Sequence, residues 1–218
     1  MLTALRKNRL LLLTLLLLEA IGGVLVYLYS RDHIHLHITN SHNDVLDAFF
    51  PYATWLGDGN LALVFVIATL LFFDWRLSLN VFFTYLIAGG ITQFLKRMVF
   101  DHMKRPFPEL GTHDLFYHVP GIEHNAEHSF PSGHATGAFA LFFTLALYSR
   151  KVWMKWLFFG CAVIGAYSRV YINQHFLQDI LVGAIIGTVI SFFMFGLVEG
   201  YKTRTEFKPL VPWKRFFR

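Results

Sequence analysis

Long apolar runs, separated by short polar breaks, recur along the chain at about 10–29, 52–73, 77–95, 132–148, 153–167 and 176–198. A run of roughly 20 apolar residues matches the length of helix that crosses a hydrocarbon layer about 30 Å thick. Inside such a layer the backbone must satisfy its own hydrogen bonds, which a helix does within one segment. The pattern predicts an all-α, integral-membrane bundle of six transmembrane helices, forming a single domain over residues 1–218. Composition agrees, with 55% hydrophobic and 15% charged residues, against roughly 45–50% and about 25% in a soluble domain.

The first run follows Arg6, Lys7 and Arg9, as a signal peptide would. It exceeds the usual 7–15-residue signal core and lacks a small-x-small cleavage site, so it reads as a retained span. Glu19 in its middle fits an interhelical hydrogen bond better than catalysis. Six spans place both termini on one side, and 13 of the 19 Lys and Arg residues fall on that side, which makes it cytoplasmic. The net charge of +5 is spread over short clusters between apolar runs. Lipid headgroups and phosphate suit it better than nucleic acid. Cys161, the single cysteine, offers neither a disulfide nor a thiolate metal site.

The spacing of His33, His35 and His37 would put all three on one side of a strand, where a metal site is conceivable. A solvated loop running on to His42 is the stronger reading. The tail, residues 199–218, interleaves Lys and Arg with Phe and Trp, and reads either as a segment lying on an anionic leaflet or as a solvated tail.

Three polar clusters interrupt the spans and, by the span count, share the outer face. Lys96, Arg97 and Arg105 lie in the longest non-apolar segment, Pro131-Ser132-Gly133-His134 opens the fourth span, and Ser168 to Asp179 joins the fifth to the sixth. Each cation taken singly reads as a headgroup anchor at a helix end. Retained together on the unfavoured side, they read as an anion site, since guanidinium forks and ammonium groups suit phosphate oxygens. Proline in a first helical turn, a serine hydroxyl and a glycine that lets backbone N–H groups approach make Pro131 to His134 a phosphate cradle. If a helix begins near His175, Asp179 lies one turn on and can orient the ring. One histidine can then attack and the other donate a proton. No carboxylate cluster suited to a metal accompanies them, so no metal and no cofactor is expected.

These residues resemble the type 2 phosphatidic acid phosphatase superfamily, whose signature is Lys-x6-Arg-Pro, Pro-Ser-Gly-His and Ser-Arg-x5-His-x3-Asp. The second part stands intact as Pro131 to His134, and the third as Ser168-Arg169, His175 and Asp179. In the first part Arg105-Pro106 is clear, but Met98 occupies the lysine position. Lys96 is placed there, with two extra residues in the loop, and Arg97 is the alternative. The resemblance implies that His175 forms a phosphohistidine, Asp179 orients it, and His134 protonates the leaving oxygen. It also implies that Lys96, Arg105, Ser132, Gly133 and Arg169 hold the phosphoryl group. The implied activity is a metal-independent lipid phosphatase with its site on the periplasmic or extracellular face. The favoured substrate is undecaprenyl diphosphate, and phosphatidylglycerol phosphate, phosphatidate and lipid A phosphate are alternatives. A phosphotransferase on the same scaffold and a non-catalytic lipid-binding protein are the competing classes. Oligomeric state is not readable from the sequence.

Overall fold

The structure, a computed structural model, describes residues 8–200. Its elements run α1 (Arg9–Leu28), α2 (Arg31–Thr39), α3 (Asp44–Ala53), a 3₁₀ turn (Thr54–Gly57), α4 (Gly59–Phe72), α5 (Trp75–Phe94), a π turn (Leu95–Val99), α6 (Pro106–Leu110), α7 (Gly133–Tyr148), α8 (Val152–Tyr171) and α9 (Leu177–Gly200). There is no strand among the described residues. The basic tail lies outside them.

Helix α7 is the axis of the bundle. Every residue from Ala135 to Leu147 is buried, as expected for a helix that is apolar all round and enclosed by neighbours. Helices α5, α8 and α9 pack around it. The approach of α9 depends on two glycines four residues apart. A Cβ on Gly183 would come within 2.7 Å of the Ser132 carbonyl oxygen, and one on Gly187 within 2.6 Å of the Thr136 carbonyl oxygen. Small residues at this spacing let two helix backbones meet, the usual basis of association where hydrocarbon removes the hydrophobic drive. Ser191 continues the seam, accepting from Thr144 Oγ1 at 3.1 Å.

The outside of the bundle is apolar. Leu10, Leu13, Leu16 and Leu17 of α1 are each about 60% exposed, a surface suited to lipid. By length and composition, α1, α5 with its π turn, and α9 can each cross a membrane. The pair Asp44–Gly57 and Gly59–Phe72, bent by 55°, makes a fourth candidate if taken as one span. The break inside the expected 52–73 run has a local cause. Asp58 is extended and caps α4, its Oδ1 accepting the Asn60 N–H at 2.8 Å. Helix α7 is short at 16 residues, and α8 carries Lys155 and Arg169.

The expected strand or loop at 30–42 is instead α2. Ser30 caps it by accepting the His33 N–H at 3.2 Å, and at helical spacing the three histidines spread around the axis. His33 and His37 are exposed while His35 is buried, and no metal-binding group of His, Cys, Asp or Glu exists among the described residues. His42 instead pairs with Asp47 (Nδ1 to Oδ1, 2.8 Å), which also accepts from Tyr117 at 2.7 Å and Tyr171 at 2.6 Å. This network ties α3 and the long loop to the end of α8.

The glycine seam predicts a sharp contrast. Gly187→Val should destabilise the detergent-solubilised protein by about 3 kcal/mol or more. Gly89→Ala, where a Cβ meets nothing within 4 Å, should be neutral or stabilising by up to about 1 kcal/mol. Thermal unfolding followed by circular dichroism separates the two, and equal effects would refute the seam.

Candidate active site

One end of the bundle gathers the polar residues, and the turn between α8 and α9 sets their geometry. After Tyr171 the chain reverses through Asn173, whose φ of +60° is left-handed, a conformation asparagine tolerates better than most residues. The reversal lets the N–H groups of Gln174 and His175 both donate to the Arg169 carbonyl, at 2.9 and 3.1 Å. Arg169 and His175 are thereby held side by side. The Asn173 side chain fixes the turn, donating to the Tyr117 carbonyl at 2.7 Å and pairing with His35 Nε2 at 3.0 Å.

Helix α9 begins at Leu177, so His175 lies just before the helix and not in it. The contact with Asp179 forms nonetheless. Asp179 Oδ2 accepts the Phe176 N–H at 3.0 Å, as an acid in a first turn can, and lies 3.3 Å from His175 Nδ1. Ser129 donates its hydroxyl to the same oxygen at 2.5 Å and stands 3.5 Å from His175 Nδ1. With Nδ1 facing these partners, Nε2 is the nitrogen left for chemistry. His175 is 1% exposed. Burial first, and then Arg105, Lys96, Arg169 and His134, hold its pKa well below the ordinary imidazole value. Both causes favour the neutral form of the ring.

Four further expected residues press on His175. Arg169 is 7% exposed at the last turn of α8, one turn beyond the expected end of that span, and donates from Nη1 to Thr54 Oγ1 at 2.6 Å. Its Nε is buried without an acceptor among the described residues. Arg105 donates from Nε to the Glu127 carbonyl at 2.9 Å, and from Nη1 to Gln174 Oε1 at 2.9 Å. Burial lowers its pKa from the usual arginine value, though a guanidinium stays charged. Lys96 is 7% exposed in the π turn, closed by the Phe100 N–H donating to the Leu95 carbonyl at 2.9 Å. Such a turn holds one residue more than an α-turn, and so absorbs part of the long Lys96-to-Arg105 spacing. Arg97, by contrast, is exposed and is not among the charges acting on His175. His134, in the first turn of α7, acts on His175 as well.

Ser132 and Gly133 supply the start of α7. Ser132 is the N-cap, accepting the Ala135 N–H at 3.3 Å, and its own N–H donates to the Asp179 carbonyl at 3.0 Å. Pro131 therefore precedes the cap and does not sit in the first turn. A Cβ on Gly133 would meet only Gln93 Nε2, at 3.9 Å, so space stands open beside backbone N–H groups that a helix start leaves unpaired. Among the described residues, none of Lys96, Arg105 and Arg169 forms an ion pair with a carboxylate. Three cations and a helix start around a neutral histidine can bind and polarise a phosphoryl group.

A family model for the PAP2 superfamily matches residues 77–202, which contain all nine of these residues. The chain belongs to the PAP2 superfamily. It is 29% identical to undecaprenyl-diphosphatase BcrC of Bacillus subtilis over 73% of this chain and 79% of that one. It is 31% identical to a lipid A 1-phosphatase of Rhizobium johnstonii over 69% of this chain and 60% of that one. The transmembrane PAP2-type phosphatidylglycerolphosphate phosphatase of Bacillus subtilis superposes with a TM-score of 0.67 at 20% identity, covering 88% of this chain and 98% of the other. That likeness shows a shared all-helical membrane fold.

Thr54, Ser129, Asn173 and Gln174 are not among the site residues read from the sequence, where His35 figures only in the metal-or-loop reading of residues 33–42, and no spacing marks the first two. Gln174 and Asn173 adjoin His175, and an asparagine between a helix end and a helix start is a usable turn signal. His35 provides a test. Burial, partly offset by the Asn173 hydrogen bond, lowers its pKa to about 4. The unfolded chain binds a proton near pH 6.5 that the folded chain refuses. Stability should be complete above pH 6.5 and fall as pH drops toward 4. His35→Gln should flatten part of that fall, as read by thermal unfolding across the range. An unchanged pH slope would remove His35 from the account.

Proposed function

We propose that the protein is an integral-membrane lipid phosphatase working through a phosphohistidine. The observation that carries this reading is the buried His175, set against Asp179 and beside three cations that, among the described residues, have no carboxylate partner. Nε2 attacks the phosphorus, a P–N bond forms as the P–O bond to the leaving group breaks, and His134 gives the leaving oxygen its proton. Lys96, Arg105 and Arg169, with the open N–H groups after Ser132, carry the equatorial oxygens. Water, deprotonated by His134, then splits the P–N bond and releases inorganic phosphate. Asp179 and Ser129 stabilise the imidazole as it gains charge. The protein's own cations supply the charge neutralisation that a metal supplies elsewhere.

The proposed arrangement has six spans, with α7 and α8 crossing alongside the candidates set by composition. Both termini are cytoplasmic and the site opens to the periplasmic or extracellular face. The substrate class is a lipid phosphate or diphosphate whose tail stays in the bilayer. The undecaprenyl-diphosphatase relative supports a polyprenyl diphosphate. With that substrate the bond broken is the terminal phosphoanhydride.

Purified protein should release phosphate from undecaprenyl diphosphate in the presence of EDTA and lose that activity with vanadate. His175→Ala should lower the rate at least about a thousandfold. Full activity in His175→Ala, or dependence on added metal, would overturn the mechanism. A panel with phosphatidylglycerol phosphate, phosphatidate and lipid A tests the substrate, and phosphate appearing only when an acceptor alcohol is present would make the protein a transferase.

His134→Ala separates the substrate types by chemistry. A lipid alkoxide needs a proton to leave, so loss of the acid should cost about 10²–10⁴-fold on a monophosphate. A lipid phosphate leaving from a diphosphate is far less basic, and the cost should be much smaller. Equal losses on both substrates would remove His134 as the acid.

A further inference from the structure

The end of the bundle opposite His175 holds a second concentration of positive charge. A cavity of about 190 Å³ opens between the starts of α1 and α8, with Asn8, Arg9, Arg150, Val152, Lys155 and Trp156 in its walls. Lys155 precedes Arg169 by fourteen residues on α8, about 21 Å along the helix axis. Cavity and candidate active site therefore lie at opposite ends of the bundle.

Lys155 is 6% exposed and donates its ammonium to Asn8 Oδ1. Arg9 and Arg150 are exposed, and among the described residues neither forms an ion pair with a carboxylate. No acidic residue stands in the first turn of α1 or α8 to offset the charge. Around this basic cavity the rim is apolar. Leu10, Val152 and Trp153 are 63%, 67% and 60% exposed. Charge inside and exposed apolar and indole groups at the edge is the profile of a protein surface at the level of lipid headgroups.

We propose that this cavity binds the phosphate headgroup of an anionic phospholipid in the leaflet opposite the candidate active site. Two guanidinium groups can each grip phosphodiester oxygens, and the Lys155 ammonium adds a point charge behind them. Basic cavities between spans hold acidic headgroups in this way. The apolar rim selects a lipid over free phosphate, because the chains attached to a bound headgroup continue along the exposed leucines of α1. The assignment does not depend on the phosphatase reading, since a phosphodiester headgroup is not a phosphate monoester and the cavity is remote from His175.

Native mass spectrometry of the full chain in detergent tests it, with separate titrations of phosphatidylglycerol, phosphatidylcholine and inorganic phosphate. The wild-type chain should retain one phosphatidylglycerol in preference to phosphatidylcholine, and millimolar phosphate should not displace it. Each basic group near a lipid surface is worth about a factor of five. The double substitution Arg9→Ala, Arg150→Ala should therefore weaken phosphatidylglycerol about 25-fold and leave phosphatidylcholine unchanged. Arg9→Lys with Arg150→Lys should restore most of the affinity, and Arg169→Ala, at the other end, should leave it unchanged. Equal retention of the two lipids by the wild-type chain, displacement by phosphate, or unaltered binding in the double alanine variant would each overturn the proposal. Should the alanine variant fail to fold, the wild-type lipid selectivity and the lysine variant decide the matter.

Discussion

Three cations held together, without ion-pair partners among the described residues, set the terms for the rest of the structure. Lys96, Arg105 and Arg169 are largely buried at one end of the bundle, and Asp179, which acts on Lys96 and Arg105, is committed to His175, Ser129 and the Phe176 N–H. Like charges brought close in a poorly solvated place repel, and each loses hydration. An apo arrangement of this kind is unfavourable by itself and is maintained because neutral groups hold the two guanidinium groups. Gln174 and the Glu127 carbonyl hold Arg105, and Thr54 holds Arg169. Uncharged acceptors fix the position of a guanidinium without cancelling its charge. A carboxylate in place of Thr54 or Gln174 would relieve the repulsion and also consume the field that an incoming phosphate needs.

The stability that tolerates this arrangement comes from the middle of the bundle. Helix α7 is enclosed along nearly its whole length, and α9 lies against its backbone through Gly183 and Gly187. The same contact has a positional effect. Gly183 packs on Ser132, and the Ser132 N–H donates to the Asp179 carbonyl, so the first turns of α7 and α9 are locked in register. His134 and His175 belong to those two ends. A bulkier seam would both loosen the core and separate the histidines.

The all-helical character of the chain and the gathering of the histidines, arginines and aspartate at one end were legible in the sequence because long apolar runs and costly polar residues between them are strong, local signals. What escaped was set by tertiary contact. Nothing in Ile-His-Leu-His announces that His35 turns inward to Asn173, since a histidine at alternate positions fits a strand, a loop and a helix equally well until its neighbours are known. Ser129 bonds to Asp179 across fifty residues, a separation no spacing rule covers. Nor does the sequence show which of Lys96 and Arg97 turns inward, which in the π turn is Lys96, buried while Arg97 is exposed.

The family match begins at residue 77, yet part of the support for the site lies before it. Thr54 positions Arg169, His35 holds the turn at Asn173, and the guanidinium of Arg31 sits 4.6 Å over the ring of Phe176, next to His175. The motif residues thus come from the shared region, while some of the groups that orient them come from a segment the family model does not include. Chemistry common to the family needs the first set in a fixed geometry. Differences in how deeply the site is buried can then arise from the second set without altering a motif residue. On this division, exchange of residues 30–57 should change the orientation and burial of the motif residues while leaving their identity untouched.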